Sequence, residues 1–285
     1  MRMARKPRSL ALWVGIAALL FSIQAYAGDR SGLLTEEFHK TYPLSAGGRV
    51  ELNNINGAVH ITGWDRNEVK VDAVKSAYNQ ERLDEAKIKV DASSSRVSIR
   101  TQYPERDNTW NWGSHDNPAS VEYTITVPRD ARLDKIELIN GALDVQGVAG
   151  PVSASCINGK LSARDLRGRI ELSTINGPLE AAVDRTDSTH VDLSSINGRL
   201  RLTLPSDAQV ELEASTVHGG ISNDFGLKSN HHQWVGHDLR GRLGNGGNRI
   251  KLSNINGPIE IHHANDGRAL SPAKNLDSDE DDDTI

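Results

Sequence analysis

Apolar and polar residues alternate along most of the chain beyond residue 47. Ile170 and Leu172, for example, precede Ile175-Asn176-Gly177, and the alternation resumes at Leu179. A period of two is typical of a β-strand with one buried face. A helical turn is predicted only near Gln80 to Ala86. The pattern therefore predicts an all-β protein.

The phrase Ile-Asn-Gly recurs within this alternation. Its glycines at 141, 159, 177, 198 and 219 are 18, 18, 21 and 21 residues apart, which indicates one supersecondary unit per period. The copies at Ile139 and at Val217-His218-Gly219 are degenerate. The predicted turn residues are Asn56, Gly57, Asn140, Gly141, Asn158, Gly159, Asn176, Gly177, Asn197, Gly198, Asn256 and Gly257.

Two architectures fit such a repeat. Further turn signals at Gly147 to Gly150 and Asp165 to Gly168 supply a second corner per period, as a coil of a β-helix requires. We therefore predict a right-handed β-helix, or β-solenoid, with coils of about 18–21 residues and Asn-Gly corners. Because Asn-Gly between alternating strands is also a hairpin signal, an antiparallel β-sandwich or meander is the alternative.

Stacked coils would align like residues in columns about 4.8 Å apart. We expect buried columns, amide hydrogen bonds between the asparagines at the corner, and positive φ at each following glycine. Cys156, the only cysteine, is expected to fill a small buried position that Asn54, Thr174, Ser195, Thr216 and Asn254 occupy in other copies. The two expected apolar columns are Ile157, Ile175, Ile196 and Val217, and Leu161, Leu179 and Leu200.

The N-terminus has the pattern of an export signal. Basic residues precede the apolar run Leu10 to Ile23, and Ala25-Tyr26-Ala27 fits a cleavage site. The chain has no cysteine near this site, so a lipid anchor is not predicted. It has no second apolar segment, so no membrane span is predicted after cleavage. We predict a signal peptide over 1–27 and a periplasmic or secreted protein. The other predicted regions are an N-terminal extension (28–46), irregular β structure (47–130), regular repeats (131–263) and a disordered acidic tail (264–285).

Charge argues against nucleic acid as a partner. The formal net charge of −5 becomes −9 once the signal peptide's four basic residues are removed. Six acidic residues lie between Asp277 and Asp283. Nucleic-acid affinity depends on clustered Lys and Arg, so this acidic body predicts none.

Several motifs together resemble the bacterial "putative adhesin" family of exported β-strand-repeat proteins, a domain of unknown function. The matching pieces, over about Gly47 to His262, are Gly63-Trp64-Asp65-Arg66, Tyr123-Thr124-Ile125-Thr126-Val127-Pro128, the Asn-Gly turns, and Leu239-Arg240-Gly241-Arg242-Leu243-Gly244. The resemblance implies a β-helix-like fold and placement in the periplasm or at the cell surface. It carries over no catalytic or binding residue.

Candidate chemistry is sparse. Tyr103, Trp110, Trp112 and Trp234 are candidate ligand-surface residues, with packing as the alternative. The candidate metal cluster is His231, His232 and His237, with His262 and His263. Adjacent histidines point to opposite faces of a strand and no Cys or carboxylate stands at ligand spacing beside them, so solvated loop histidines are predicted and not a zinc site. No catalytic residue, cofactor or metal site is predicted.

The function hypothesis is a non-catalytic, exported adhesin or cell-envelope scaffold module that binds an envelope protein or a polysaccharide. The alternative is a carbohydrate-active β-helix enzyme, a polysaccharide lyase or hydrolase, with a groove beside residues 103–119. Such an enzyme needs paired carboxylates in one cleft. The acids at Glu137, Glu171, Asp192, Glu211 and Glu260 instead predict solvated strand faces.

Overall fold

The computed structural model describes residues 32–104, 118–186, 189–231 and 236–276. One short helix, α1 (Gln80–Glu85), lies where the sequence predicts it, and Asn79 caps it by accepting a hydrogen bond from the Arg82 amide. The first strands are β1 (Leu34–Pro43), β2 (Arg49–Asn56), β3 (Val59–Trp64), β4 (Glu68–Ala77), β5 (Lys87–Ala92), β6 (Arg96–Gln102) and β7 (Ser120–Pro128). The repeats form β8 (Arg132–Asn140), β9 (Leu143–Gln146), β10 (Val152–Asn158), β11 (Leu161–Arg164), β12 (Arg169–Asn176), β13 (Leu179–Ala182), β14 (His190–Asn197) and β15 (Leu200–Leu204). The last strands are β16 (Val210–His218), β17 (Ile221–Asn223), β18 (Asn230–His231), β19 (His237–Leu243), β20 (Asn248–Asn256), β21 (Ile259–His263) and β22 (Ala273–Asn275).

The strands form two large mixed sheets, so the predicted β-helix of repeated coils is wrong, although the all-β class is correct. The ten-stranded sheet has the order β1-β4-β7-β3-β9-β11-β13-β15-β21-β17. The twelve-stranded sheet has the order β18-β19-β16-β20-β14-β12-β10-β8-β2-β6-β5, and β22 pairs with β19. The sheets pair as in a sandwich. Antiparallel strands occur at both ends, and β20 separates β14 from β16, so the chain does not wind in one continuous series.

Each Asn-Gly turn passes the chain from one sheet to the other, so the strands that flank it do not form a hairpin. β10 pairs in parallel with β8 and β12, whereas β11 pairs with β9 and β13. The register places Asn158 beside Asn140 and Asn176. Like residues therefore lie beside like residues through the middle of both sheets.

The core lies between the two sheets. Leu161, Leu179 and Leu200 are fully buried and adjacent, as predicted. The other predicted column is wrong, because Ile157, Ile175 and Ile196 are 37–39% exposed. Ile175 comes one residue after the buried Thr174 and three residues after the buried Leu172. An odd step along a strand turns a side chain to the opposite face, so the isoleucine points outward.

Two of the predicted regions contain paired strands. The predicted N-terminal extension contains β1, which pairs along ten residues with β4. Within the predicted tail, β22 pairs with β19 and the Ser271 amide donates a hydrogen bond to the Ser206 carbonyl. Residues 1–31 and 277–285, which contain the predicted signal peptide and the acidic run, lie outside the described residues.

The corner glycines are fixed by close backbone contact. Gly177 has φ of 143°, and a Cβ on it would lie 2.1 Å from the Gly159 carbonyl oxygen. The Gly177 amide donates to the Asn197 carbonyl at 2.9 Å. A side chain at this position is thus excluded by both conformation and space.

Candidate functional site

The outer face of the twelve-stranded sheet presents three adjacent columns of like side chains. The serine column consists of Ser155, Ser173, Ser194, Ser253 and Ser215 in register. The isoleucine ridge, two residues further along each strand, consists of Ile55, Ile139, Ile157, Ile175, Ile196, Ile255 and Val217. The asparagine ladder follows at the corner, with Nδ2-to-Oδ1 hydrogen bonds of 2.8–2.9 Å from Asn256 through Asn197, Asn176, Asn158 and Asn140 to Asn56.

The isoleucine ridge is the main exposed apolar feature of this face. Six of its members, all except Ile55, are 37–44% exposed. Neighbouring strands of a sheet are about 4.8 Å apart, so the ridge is a straight, evenly spaced apolar line across the strands. The ladder beside it holds the corner rigid, because each internal asparagine both donates and accepts.

A shallow groove of about 300 Å³ crosses β8, β10, β12 and β14 beside the ridge. Small serines form its floor, and longer charged side chains form its rim. A β-bulge in β8 shifts the register at Asp134 and Lys135, so both side chains lie on the outer face. The polar residues lining the groove are Lys135, Glu137, Ser153, Ser155, Glu171, Ser173, Asp192 and Ser194.

Two of the three carboxylates that line the groove, those of Glu137 and Glu171, are held in ion pairs. Glu137 accepts a hydrogen bond from Asn53 at 2.9 Å and lies 3.4 Å from Lys135. Glu171 accepts from the guanidinium of Arg169 at 2.6 Å. These contacts orient the acids along the sheet, where exposed ion pairs of this kind contribute little to stability.

A second groove, of about 390 Å³, lies on the outer face of the ten-stranded sheet. Its floor includes Ser162 and Ala182, and its rim includes Asp144 and Glu180. No apolar ridge lies beside it among the described residues. Nearby, burial would raise the pKa of Glu260, but the hydrogen bond from Arg201 and the charge of Arg199 lower it below its usual value.

The predicted aromatic surface is not assembled by the described residues. Tyr103 packs against the core, and its hydroxyl donates to the Ala119 carbonyl at 2.8 Å. Burial raises its pKa well above the usual value. Trp110, Trp112 and Trp234 lie outside the described residues. Tyr103 is half-buried and also lines a surface groove with Glu81, Asp84 and Lys87, so its role as a ligand-surface residue stays a prediction.

Sequence reasoning also missed a buried polar network near Tyr103. Asn54 is fully buried, and its Nδ2 donates to the Val121 carbonyl at 2.9 Å. Thr101 donates to the Asn54 Oδ1 and contacts the Tyr123 hydroxyl, both at 2.8 Å. Burial raises the pKa of Tyr123 to about 12, so its hydroxyl stays protonated. The available signal was Asn54 at a position where several other copies have Cys156, Thr174, Ser195 or Thr216.

Cys156 lies in the same column, directly between Leu138 and Thr174. It is buried, and its Sγ contacts the Gly141 carbonyl at 3.4 Å. Burial raises the pKa of the thiol above its usual value, which disfavours the reactive thiolate. This matches its expected role as a filler.

The histidines fall into separate groups. His262 Nδ1 lies 3.0 Å from Asp224, His263 contacts Ser206, and His231 lies beside His237. Over the described part of the chain, no group of three or more His, Cys, Asp or Glu side chains could hold a metal ion.

The acids named for the enzyme hypothesis are divided between the two sheets. Glu137, Glu171 and Asp192 line the groove of the twelve-stranded sheet, whereas Glu260 lies on the other sheet. Glu211 lies on β16 and contacts Arg242 at 3.3 Å.

The residues that carry the family resemblance have structural roles. A Cβ on Gly63 would lie 2.0 Å from the Gly147 carbonyl oxygen, so only glycine fits at position 63. Trp64 donates its indole N–H to the Glu68 carbonyl at 2.9 Å, and Arg66 stacks over its ring. Asp65 pairs with Arg129 at 2.9 Å. The motif thus joins the β3–β4 turn to the start of the repeats.

Comparison with known proteins gives structural neighbours only. No family model matches the chain, and no curated protein is significantly similar to it. A "putative cell adhesion protein" from Clostridium sporogenes ATCC 15579 has 15% identity and a TM-score of 0.46, and the match covers 80% of this chain and 100% of that one. A "putative adhesin" from Parabacteroides merdae ATCC 43184 has 6% identity, a TM-score of 0.31 and coverage of 82% and 97%. A "putative lipid binding protein" from Parabacteroides distasonis ATCC 8503 has 10% identity, a TM-score of 0.30 and coverage of 82% and 98%.

The adhesin descriptions of these neighbours agree with the family that the sequence resembles. Identities and TM-scores this low carry no information about function or ligand. A separate search of the described residues finds no helix with the length and apolar character to cross a membrane.

Proposed function

We propose that this chain is a non-catalytic, exported binding module that holds a polysaccharide of the cell envelope against the outer face of its twelve-stranded sheet. The observation that carries the proposal is the register that sets the serine column beside the isoleucine ridge. The two columns run parallel across the strands at the same spacing.

Polysaccharide chemistry fits this pair of columns. A sugar ring has hydroxyl groups at its edge and an apolar face of C–H groups. Serine hydroxyls and the carboxylates of Glu137 and Glu171 can exchange hydrogen bonds with the edge. The ridge offers apolar area to the face. An extended chain crossing the strands would repeat both contacts on each strand, which builds affinity from weak single contacts.

Binding requires only that the groove carboxylates accept hydrogen bonds from sugar hydroxyls, and it requires no change in their ion pairs. Glycoside cleavage needs one acid and one base, or one nucleophile, whose environments separate their pKa values. Two of the acids of the groove are instead engaged by neighbouring side chains, Glu137 by Lys135 and Asn53, and Glu171 by Arg169. Export is supported by the basic and apolar pattern of residues 2–27.

A glycan array and a reducing-sugar release assay test the proposal with three proteins. The wild type is expected to bind an envelope polysaccharide without releasing sugar. Ser173→Arg, which fills the groove floor, should reduce binding at least tenfold. Ser162→Arg is the matched control, since it makes the same change in the groove of the other sheet and should bind like the wild type.

Three results would overturn the proposal. Sugar release that a single carboxylate substitution abolishes would favour the enzyme. Absence of binding to every envelope polysaccharide would exclude this ligand class. Equal losses of binding in both serine variants would mean that the outer face of the twelve-stranded sheet is not the binding site.

A further inference from the structure

Two histidines are directly opposed at one end of the twelve-stranded sheet. His231 on β18 and His237 on β19 are register partners in an antiparallel pair. His231 Nδ1 lies 3.2 Å from His237 Nε2, and the ring centroids are 4.6 Å apart. One nitrogen of each imidazole therefore lies within hydrogen-bonding distance of the other.

This separation matches two ligands of one metal ion. Imidazole nitrogens bind late transition metals at about 2.0–2.1 Å. Two such nitrogens on one ion are then roughly 2.9 Å apart at a right angle and roughly 3.3 Å apart at a tetrahedral angle. The observed 3.2 Å lies between these values. Small rotations of the two rings would direct both lone pairs at one ion.

The backbone beneath the pair is held firmly on one side. β19 pairs with β16 along seven residues, from Val210 opposite Leu243 to Thr216 opposite His237. His237 shares the inward face of β19 with the buried Leu239. One ligand is thus fixed by the sheet, and the other lies on the exposed two-residue strand β18.

The other histidines that the structure describes offer no such pair. His39 contacts Asp72 and Glu37, His262 contacts Asp224, and His263 contacts Ser206. Those histidines have oxygen partners. Only between His231 and His237, over the described part of the chain, do two imidazole nitrogens face each other within 3.5 Å.

We propose that His231 and His237 form a bidentate site for a divalent late transition-metal ion, with water completing the coordination. Imidazole suits copper, nickel and zinc, and affinity for one nitrogen site follows the order that favours Cu²⁺. The site therefore binds Cu²⁺ more tightly than Ni²⁺ or Zn²⁺. This inference is independent of polysaccharide binding.

Titration of the untagged chain with each metal alone tests the site. Isothermal titration calorimetry should show one equivalent of Cu²⁺, with Ni²⁺ and Zn²⁺ weaker. The electron paramagnetic resonance spectrum of the Cu²⁺ form should show coupling to two imidazole nitrogens. His231→Asn and His237→Asn should each weaken Cu²⁺ binding at least tenfold and leave one coupled nitrogen.

His60→Asn is the matched control, because it removes an exposed strand histidine elsewhere and should leave binding unchanged. Circular dichroism of each variant establishes that it is folded. The site assignment fails if the wild type shows no one-equivalent Cu²⁺ binding, if either substitution leaves the affinity unchanged, or if His60→Asn weakens binding as much as they do. In those cases the 3.2 Å contact is a hydrogen bond between two imidazoles.

Discussion

The centre of the molecule and its C-terminal end use the same Asn-Gly unit but assemble it differently. From β8 to β15, units that follow one another in sequence are neighbours in each sheet, and all pairs are parallel. At the end, β14 pairs with β20, which pairs with β16. The unit thus specifies a corner and a register, but not which copy lies next to which.

Charge and the asparagine ladder both favour the position of β20 between β14 and β16. Lys251 on β20 lies opposite Asp192 on one side and Glu213 on the other. Direct pairing of β14 with β16 in this register would oppose Asp192 to Glu213 and replace Asn256 by His218 at the ladder. Opposed like charges destabilise a sheet, so β20 is the better neighbour for both strands.

Gly177→Val breaks the central arrangement most strongly. Its Cβ would meet the Gly159 carbonyl oxygen at 2.1 Å in a conformation that valine rarely adopts. We expect a loss of about 4 kcal/mol or more, and a fall in Tm of roughly 10 °C, measured by thermal unfolding. Gly220→Val is the control, since nothing lies within 4 Å of a Cβ there, and its Tm should stay near wild type. Equal Tm for Gly177→Val and wild type would contradict the corner geometry.

Leu179→Ala and Ile175→Ala separate the inner column from the exposed ridge within one unit. Leu179 is fully buried, whereas Ile175 is 39% exposed. Urea unfolding should show a loss of about 3 kcal/mol for Leu179→Ala and about 1 kcal/mol for Ile175→Ala. The reverse ranking would mean that the ridge belongs to the core.

Asn54→Ala and Ser195→Ala compare the same inner column at the N-terminal end and at the centre. Asn54 bonds to three carbonyls and to Thr101, so its removal leaves buried groups without partners. We expect a loss of about 2 kcal/mol in urea unfolding. The Ser195 hydroxyl has no partner among the described residues, and its removal should change stability by less than about 0.5 kcal/mol. Equal effects would contradict the network.

Lys251→Glu tests the reason given for the strand order. It would place four acids in register, since Glu171 and Asp192 lie on one side of position 251 and Glu213 lies on the other. The variant should lose about 1 kcal/mol at low salt, with a smaller loss at high salt because the repulsion is screened. Lys251→Gln, which removes the charge without reversing it, should lose less than half as much. A loss that does not depend on salt would exclude repulsion as the cause.

The smallest effect concerns β1 and β4 at the N-terminal end. Hydrogen bonds from His39 to Asp72 and Glu37 raise the pKa of His39 above 6.5. Protonated His39 therefore adds stability below about pH 6.5, and this stability is lost as pH rises through the raised pKa. Tm of the wild type relative to His39→Gln should fall slightly between about pH 6 and pH 8. A constant difference in Tm over this range would rule out the contribution.

The repeat was predictable because its signals are local. Alternation identifies strands, and Asn-Gly identifies a corner where positive φ is required. The outward face of Ile175 follows from the same alternation, because Ile175 comes one residue after the buried Thr174. The predicted isoleucine column was wrong because it relied on apolar character and not on position in the alternation. The groove was also missed, since the β8 bulge is visible only as one extra polar residue at Asp134-Lys135.

The sequence by itself determined the strands, the corner glycines and the like-on-like register, since these depend on neighbours within one unit. Only the tertiary structure decided the two mixed sheets, the place of β20 between β14 and β16, and the meeting of His231 with His237. Those features depend on contacts between distant segments, and the energies that select among similar strands are small differences in charge and packing.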